Sequence, residues 1–129
     1  MDGYILIVDD DEDIRNMLGI YLENEGFHFI KCRNADEAIQ TLEDHKIDLI
    51  LLDIMMPGIN GLEACIKIRE TSKIPIIFMS AKSEEMDKIQ GLTVGADDYI
   101  GKPFHALELI ARVKAVSYTH LEWSTGSSF

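Results

Sequence analysis

The sequence predicts an α/β fold: five βα units forming a five-stranded parallel sheet between two helix layers. Three observations predict it. Short apolar runs alternate five times with segments of helical period. The runs at Ile5-Leu6-Ile7-Val8, Leu49-Ile50-Leu51-Leu52 and Ile76-Ile77-Phe78-Met79 lack polar alternation, as strands covered on both faces do. The connections are short, and the right-handed crossover rule then leaves few topologies.

The elements follow in order. β1 is expected over Tyr4 to Val8. α1 follows and stops before Gly26. Asp11, Glu12 and Asp13 suit the positive end of its first turn, and its stripe is Ile14, Leu18, Tyr21 and Leu22. β2 is short, Phe27 to Lys31. α2 starts behind Asn34, with Glu37 three residues on as in a capping box, and buries Ala35, Ala38, Ile39 and Leu42. β3 is Ile47 to Leu52, apolar in its second half and so central. Pro57-Gly58 and Asn60-Gly61 break the chain before α3, which carries Leu62, Cys65, Ile66 and Ile68. β4 is Pro75 to Met79. α4 runs on from a Ser83 cap with Glu84 and Glu85 in its first turn. β5 is Asp98 to Ile100. α5 starts near Phe104 and is expected to bury Leu107, Ile110, Ala111 and Val113 or Lys114. The topology these units favour is the flavodoxin-like order 2-1-3-4-5, a three-layer sandwich in which β1 and β3 lie side by side.

A chain of 129 residues, 47% apolar and 27% charged, fits one domain with a full core. Residues 1–116 are read as that domain. Residues 117–129 lose the helical stripe and are set outside it, as a native linker or, preferably, read-through sequence. No apolar run approaches the roughly 20 residues of a membrane helix, and no secretory signal is visible, so a cytoplasmic location is expected. A formal net charge of −11 argues against nucleic-acid binding by this segment. Cys32 and Cys65 form no CxxC and are expected to be reduced, half-buried and inert.

Asp9 and Asp10 follow β1, Asp53 follows β3, Ser80 follows β4 and Lys102 follows β5. Ligands of open α/β sheets bind outside the carboxyl ends of the strands, so one rim gathers three carboxylates, a hydroxyl and an ammonium. A buried carboxylate at Asp53 is costly unless paired or metal-bound. Mg2+ takes oxygen ligands, including one or two carboxylates and phosphate oxygens, and Asp10 with Asp53 suits it. An aspartate can itself accept a phosphoryl group. Lys102 precedes Pro103, and a cis bond there would aim the ammonium into the site.

The segments Ile5-Leu-Ile-Val-Asp-Asp-Asp-Glu-Asp13, Leu51-Leu-Asp-Ile-Met-Met-Pro-Gly58, Met79-Ser-Ala-Lys82 and Gly95-Ala-Asp-Asp-Tyr-Ile-Gly-Lys-Pro-Phe104 resemble two-component response-regulator receiver domains, most closely the OmpR/PhoB subfamily. The likeness runs from about Tyr4 to Ala115. It implies that Asp53 accepts a phosphoryl group from a sensor histidine kinase. It implies that Asp10, Asp53 and the Met55 carbonyl bind Mg2+ (with Mn2+ as the alternative ion), and that Asp9 acts through metal-bound water. Ser80 and Lys102 would contact the phosphoryl oxygens. Tyr99 would be the aromatic switch, turning inward when Ser80 moves, and the Lys102-Pro103 bond would be cis. The chain would catalyse only its own phosphorylation and dephosphorylation and would not be an enzyme for other substrates. Met55 and Lys82 would flank the phosphoryl group, and their bulk is expected to slow its hydrolysis.

The same resemblance implies a homodimer through α4-β5-α5 on phosphorylation. Lys88 would meet Glu108 and Asp98 would meet Arg112 across it, with Ile89, Leu92 and Ile110 as its apolar patch. Asp97 would lack a basic partner, since position 115 is Ala115. Relatives continue into a DNA-binding domain, so DNA would be reached only through such an effector; the alternative is a stand-alone receiver acting on a protein partner. Two other classes fit less well. An Asp-nucleophile phosphatase would place a second acid where Met55 stands, and a flavodoxin-like binding module would want a Gly- and hydroxyl-rich loop after β1, where this chain has acids.

Overall fold

The computed structural model describes residues 3–56, 58–80, 93–102 and 104–125, with side chains through Ser117. The elements are β1 (Tyr4–Val8), α1 (Glu12–Asn24), β2 (His28–Cys32), α2 (Ala35–Asp44), β3 (Ile47–Asp53), α3 (Gly61–Arg69), β4 (Ile76–Ser80), β5 (Asp98–Gly101) and α5 (Ala106–Thr125). The expected α4 lies outside the described residues.

All five strands are parallel, in the order β2-β1-β3-β4-β5. Alternation along each strand divides the core in two. Leu6, Val8, Ile50, Leu52, Ile76, Phe78 and Tyr99 face α2 and α3, where Ala38, Ala64, Cys65 and Ile68 meet them. Ile5, Ile7, Leu49, Leu51, Ile77, Met79 and Ile100 face Leu18 and Leu22 of α1 and Leu109, Val113 and Val116 of α5. This is why β3 and β4 read as unbroken apolar runs.

Local signals place the helix starts. The Asp11 side chain accepts from the Asp13 and Ile14 amides, Asn34 from Glu37 and Asn60 from Glu63. The Glu37 carboxylate reaches back one residue further than a capping box requires: it accepts from the Arg33 amide at 2.7 Å and pairs with the Arg33 guanidinium.

Several expectations are corrected. β2 and β4 start and end one residue later than the pattern suggests, and β3 extends through Asp53. Ile66 is exposed, whereas Cys65 and Ile68 are buried as expected, together with Ala64. Leu107 and Ala111 are also exposed, because α5 turns its Leu109–Val113–Val116 stripe to the sheet. A stripe at i, i+4 and i+7 is as regular as the one read from sequence; only the position of the sheet decides between them. The backbone of α5 continues to Thr125, into the segment set outside the domain for its lost stripe, since no Gly or Pro occurs between Ala106 and Thr125 to stop it. Cys32 and Cys65 are free and fully buried, and burial pushes both thiols up, away from the reactive thiolate. No helix among the described residues is long and apolar enough to cross a membrane.

Candidate phosphoryl and metal site

Asp9, Asp53 and Ser80 are the buried polar residues among those described, and all three lie at the carboxyl ends of strands. The strand order places them. β1 and β3 are neighbours with Val8 opposite Leu52, so Asp9 and Asp53 leave the sheet side by side. β4 lies beyond β3 and β5 beyond β4, with Ser80 opposite Gly101. The Lys102 amide donates to the Ser80 carbonyl at 2.6 Å, which extends the ladder and carries the lysine back over the site.

Lys102 Nζ is 2.9 Å from Asp9 Oδ2 and 3.7 Å from Asp53 Oδ2. Asp9 has further partners: Oδ1 accepts from the Asp11 amide at 2.9 Å, and its carbonyl accepts from the Arg15 guanidinium at 2.7 Å. Asp53 Oδ1 accepts from the Met55 amide at 3.1 Å. Asp10 is exposed. One carboxylate oxygen from each of Asp9, Asp10 and Asp53 lies within 4.8 Å of the others.

These distances set the charges. Burial, reinforced by the Asp9 charge, raises the Asp53 carboxyl to about 6, although Lys102 and the Met55 amide pull it down. Burial pulls the Lys102 ammonium down, but its hydrogen bond to Asp9 and the Asp53 charge outweigh that, and the group stays above the usual lysine value. With all four groups ionised, three negative charges face one positive. The donors are all oxygen, which suits a hard divalent cation; Asp9, Asp10 and Asp53 fit such an ion.

The five residues singled out from sequence thus meet at one rim. Tyr99 is buried in the α2–α3 half of the core. Met55 is exposed, two residues after Asp53. Arg112 pairs with Asp98 of its own chain at 2.8 Å and with Glu108 at 3.4 Å, while Ile110 is partly buried against the α1–α5 half of the core. Lys82, Lys88, Ile89, Leu92 and Pro103, and with it the Lys102-Pro103 bond, lie outside the described residues.

Three residues that sequence reasoning passed over matter here. Arg15 fixes the end of β1. Gly61 lets α3 start against β3: its amide donates to the Ile54 carbonyl at 2.9 Å, and a Cβ there would stand 2.7 Å from Ile54 Cα. Asn60-Gly61 carried only a turn signal in sequence. Arg69, which bears no motif, pairs with Asp97 of its own chain at 3.0 Å.

The response regulator receiver domain family matches residues 5–114. Among curated proteins, the chain is 52% identical over 115 residues to the regulatory protein VanR of Enterococcus faecium, covering 89% of this chain and 50% of that one. It is 50% identical over 115 residues to the phosphate regulon transcriptional regulatory protein PhoB of Pseudomonas aeruginosa, covering 87% and 50%. The chain therefore spans about half the length of these relatives. Among solved structures, the Francisella response regulator 1452 receiver domain matches at a TM-score of 0.86 and 31% identity, covering 92% of this chain and 99% of that one. The Vibrio cholerae chemotaxis protein CheY4 matches at 0.84 and 27%, covering 88% and 98%. With the strand order, the acid rim and these relatives in agreement, the chain belongs to the receiver domains of two-component response regulators, within the OmpR/PhoB-like group.

Proposed function

We propose that this receiver takes a phosphoryl group from a sensor histidine kinase onto Asp53, with Mg2+ (or Mn2+) held by Asp10, Asp53 and the Met55 carbonyl and by Asp9 through water. One observation carries the reading. Asp53 is a buried carboxylate raised to about 6, with Lys102 Nζ 3.7 Å away and two more acids within 4.8 Å. Above that pKa it is ionised and nucleophilic, yet poorly hydrated.

In the transfer, an Asp53 carboxylate oxygen forms a bond to phosphorus as the P–N bond of the phosphohistidine breaks. The imidazole leaves with the electron pair and takes up a proton. Mg2+ supplies neutralisation of the phosphoryl oxygens. Lys102 is close enough to shift its ammonium from Asp9 toward the new charge, and the Ser80 hydroxyl is the donor on the other flank. Positioning and electrostatics then account for the chemistry. The same groups serve hydrolysis, and the domain acts on no other substrate. Exposed Met55, together with Lys82, shields the acyl phosphate from water; a Met55→Asn, Lys82→Ala double variant is expected to lose its phosphoryl group faster than the wild type.

The output follows from the new dianion. Ser80 and Tyr99 act as the switch, and α4-β5-α5 becomes a homodimer face with Lys88, Ile89, Leu92, Asp98, Glu108, Ile110 and Arg112. The Arg112–Asp98 pair within one chain exchanges for the same pair across the face. The domain works in the cytoplasm, and DNA is reached through an effector domain like those of the longer relatives. The deciding experiment is incubation with Mg2+ and acetyl phosphate followed by intact mass. A gain of about 80 Da is expected in the wild type and none in Asp53→Asn. No gain under conditions that label another receiver overturns the reading.

A further inference from the structure

α3 touches the acceptor loop with one end and the entrances of β4 and β5 with the other. At its start, the Gly61 amide holds the Ile54 carbonyl at 2.9 Å, and the approach to the Asp53–Ile54 backbone is too close for a Cβ. Ala64, Cys65 and Ile68 bury its inner face against the sheet. At its end, the Arg69 guanidinium donates to four oxygens: Gly95 O at 3.0 Å, Ile74 O at 2.7 Å, Ser72 O at 3.4 Å and Asp97 Oδ2 at 3.0 Å. Asp97 Oδ2 also accepts from the Ile76 amide at 2.9 Å, and the Asp97 amide donates to Ile76 O at 2.8 Å. Gly95 has φ +109°, and its missing Cβ would lie 3.3 Å from Arg69 Cγ. The Arg69 side chain therefore ties the end of α3 to Asp97, the residue before Asp98 and Tyr99, and through Asp97 to Ile76, the first residue of β4.

We propose that α3 is a strut, and that Arg69 is the coupling residue that carries a displacement of the acceptor loop to Asp97 and on to the β5 entrance by a route separate from Ser80. The proposal rests on the phosphorylation of Asp53. A phosphoryl group there draws Asp53 Oδ1 away from the Met55 amide, whose hydrogen bond now shapes the loop. The loop ends at Gly61, where there is no slack. A helix of nine residues spans about 13 Å and moves as one body, because small shear of packed helices costs less than breaking their internal ladder. At the far end, the guanidinium is fixed in direction by three carbonyls as well as by Asp97, so a shift or rotation of α3 cannot leave the Asp97 loop where it was.

The test uses the full chain with Mg2+ and acetyl phosphate. Intact mass reports phosphorylation, and hydrogen exchange over residues 93–101 reports the β5 entrance. Wild type, Arg69→Gln, Asp97→Asn, Ser80→Ala and the Arg69→Gln, Ser80→Ala double variant are compared. Arg69→Gln is expected to gain about 80 Da like the wild type, while its phosphorylation-dependent change in exchange falls at least about twofold. The double variant is expected to lose the change entirely, and Ser80→Ala alone only part of it. If Arg69→Gln does not fold, Asp97→Asn is read in its place, since its amide oxygen still accepts from Ile76 while the ion pair is gone. A full exchange response in every folded Arg69 and Asp97 variant overturns the strut. Absence of the mass gain in the wild type overturns the underlying phosphorylation instead.

Discussion

Asp53 is costly to the folded chain before it is useful. Its carboxyl stands at about 6 in the fold against 3.8 in the open chain, so the folded state resists its ionisation. For a raised pKa, the favourable contribution is complete below pH 3.8 and is lost as pH rises through about 6. Metal-free Asp53→Asn is therefore expected to match the wild type near pH 4 and to exceed it above pH 6, by up to about 3 kcal/mol, in urea denaturation with a chelator present. A constant difference across that window would contradict the assignment. Lys102 is the counterpart. It is the ammonium that the buried Asp9 carboxylate faces, so Lys102→Met is expected to cost about 3 kcal/mol without metal, with part of the loss restored by Mg2+. Thermal unfolding with and without Mg2+ checks both halves.

At the scale of elements, contact with the sheet decides which helix residues count. Leu109 is fully buried, and Leu107, two positions earlier, is 88% exposed. Leu109→Ala is expected to cost about 2–5 kcal/mol and Leu107→Ser less than about 0.5 kcal/mol, measured by chemical denaturation. The start of α3 has no room for a side chain. Gly61→Ala is expected to cost about 1–3 kcal/mol and, on the proposed function, to slow labelling of Asp53 by acetyl phosphate, because the added Cβ pushes against the Asp53–Ile54 backbone. Unchanged labelling would separate the helix start from the chemistry.

The molecule as a whole is acidic, at −11, so its direct partners are not expected to be nucleic acids. A mobility-shift assay of this chain on duplex DNA is expected to show no sequence-specific complex. Self-association is the expected outcome of phosphorylation. Sedimentation with Mg2+ and acetyl phosphate should show a shift from monomer to dimer; a monomer at full labelling would remove the dimer from the output. The Arg112–Asp98 pair already exists within one chain. In the proposed dimer, its exchange across the face would contribute little net energy, which would leave the apolar part of the face to drive association.

The sequence alone determined the element order, the parallel sheet and the five residues of the rim. Each of these is written in local terms: unbroken apolar runs for strands buried on both faces, acids in the first turn of α1, Asn34 at the start of α2, and acids directly after β1 and β3. What a helix turns toward the sheet was not local. Leu107 and Leu109 belong to equally regular stripes, and only packing against the core of the α1–α5 side of the sheet selects the second. The same holds for Arg15, Gly61 and Arg69. Arg15 is six residues from Asp9 and Arg69 is twenty-eight from Asp97, and neither spacing is a motif until the fold closes the distance. Tertiary structure decided these because hydrogen bonds and close approach depend on where backbones pass in space, and the residue pattern of one element does not contain the position of the next.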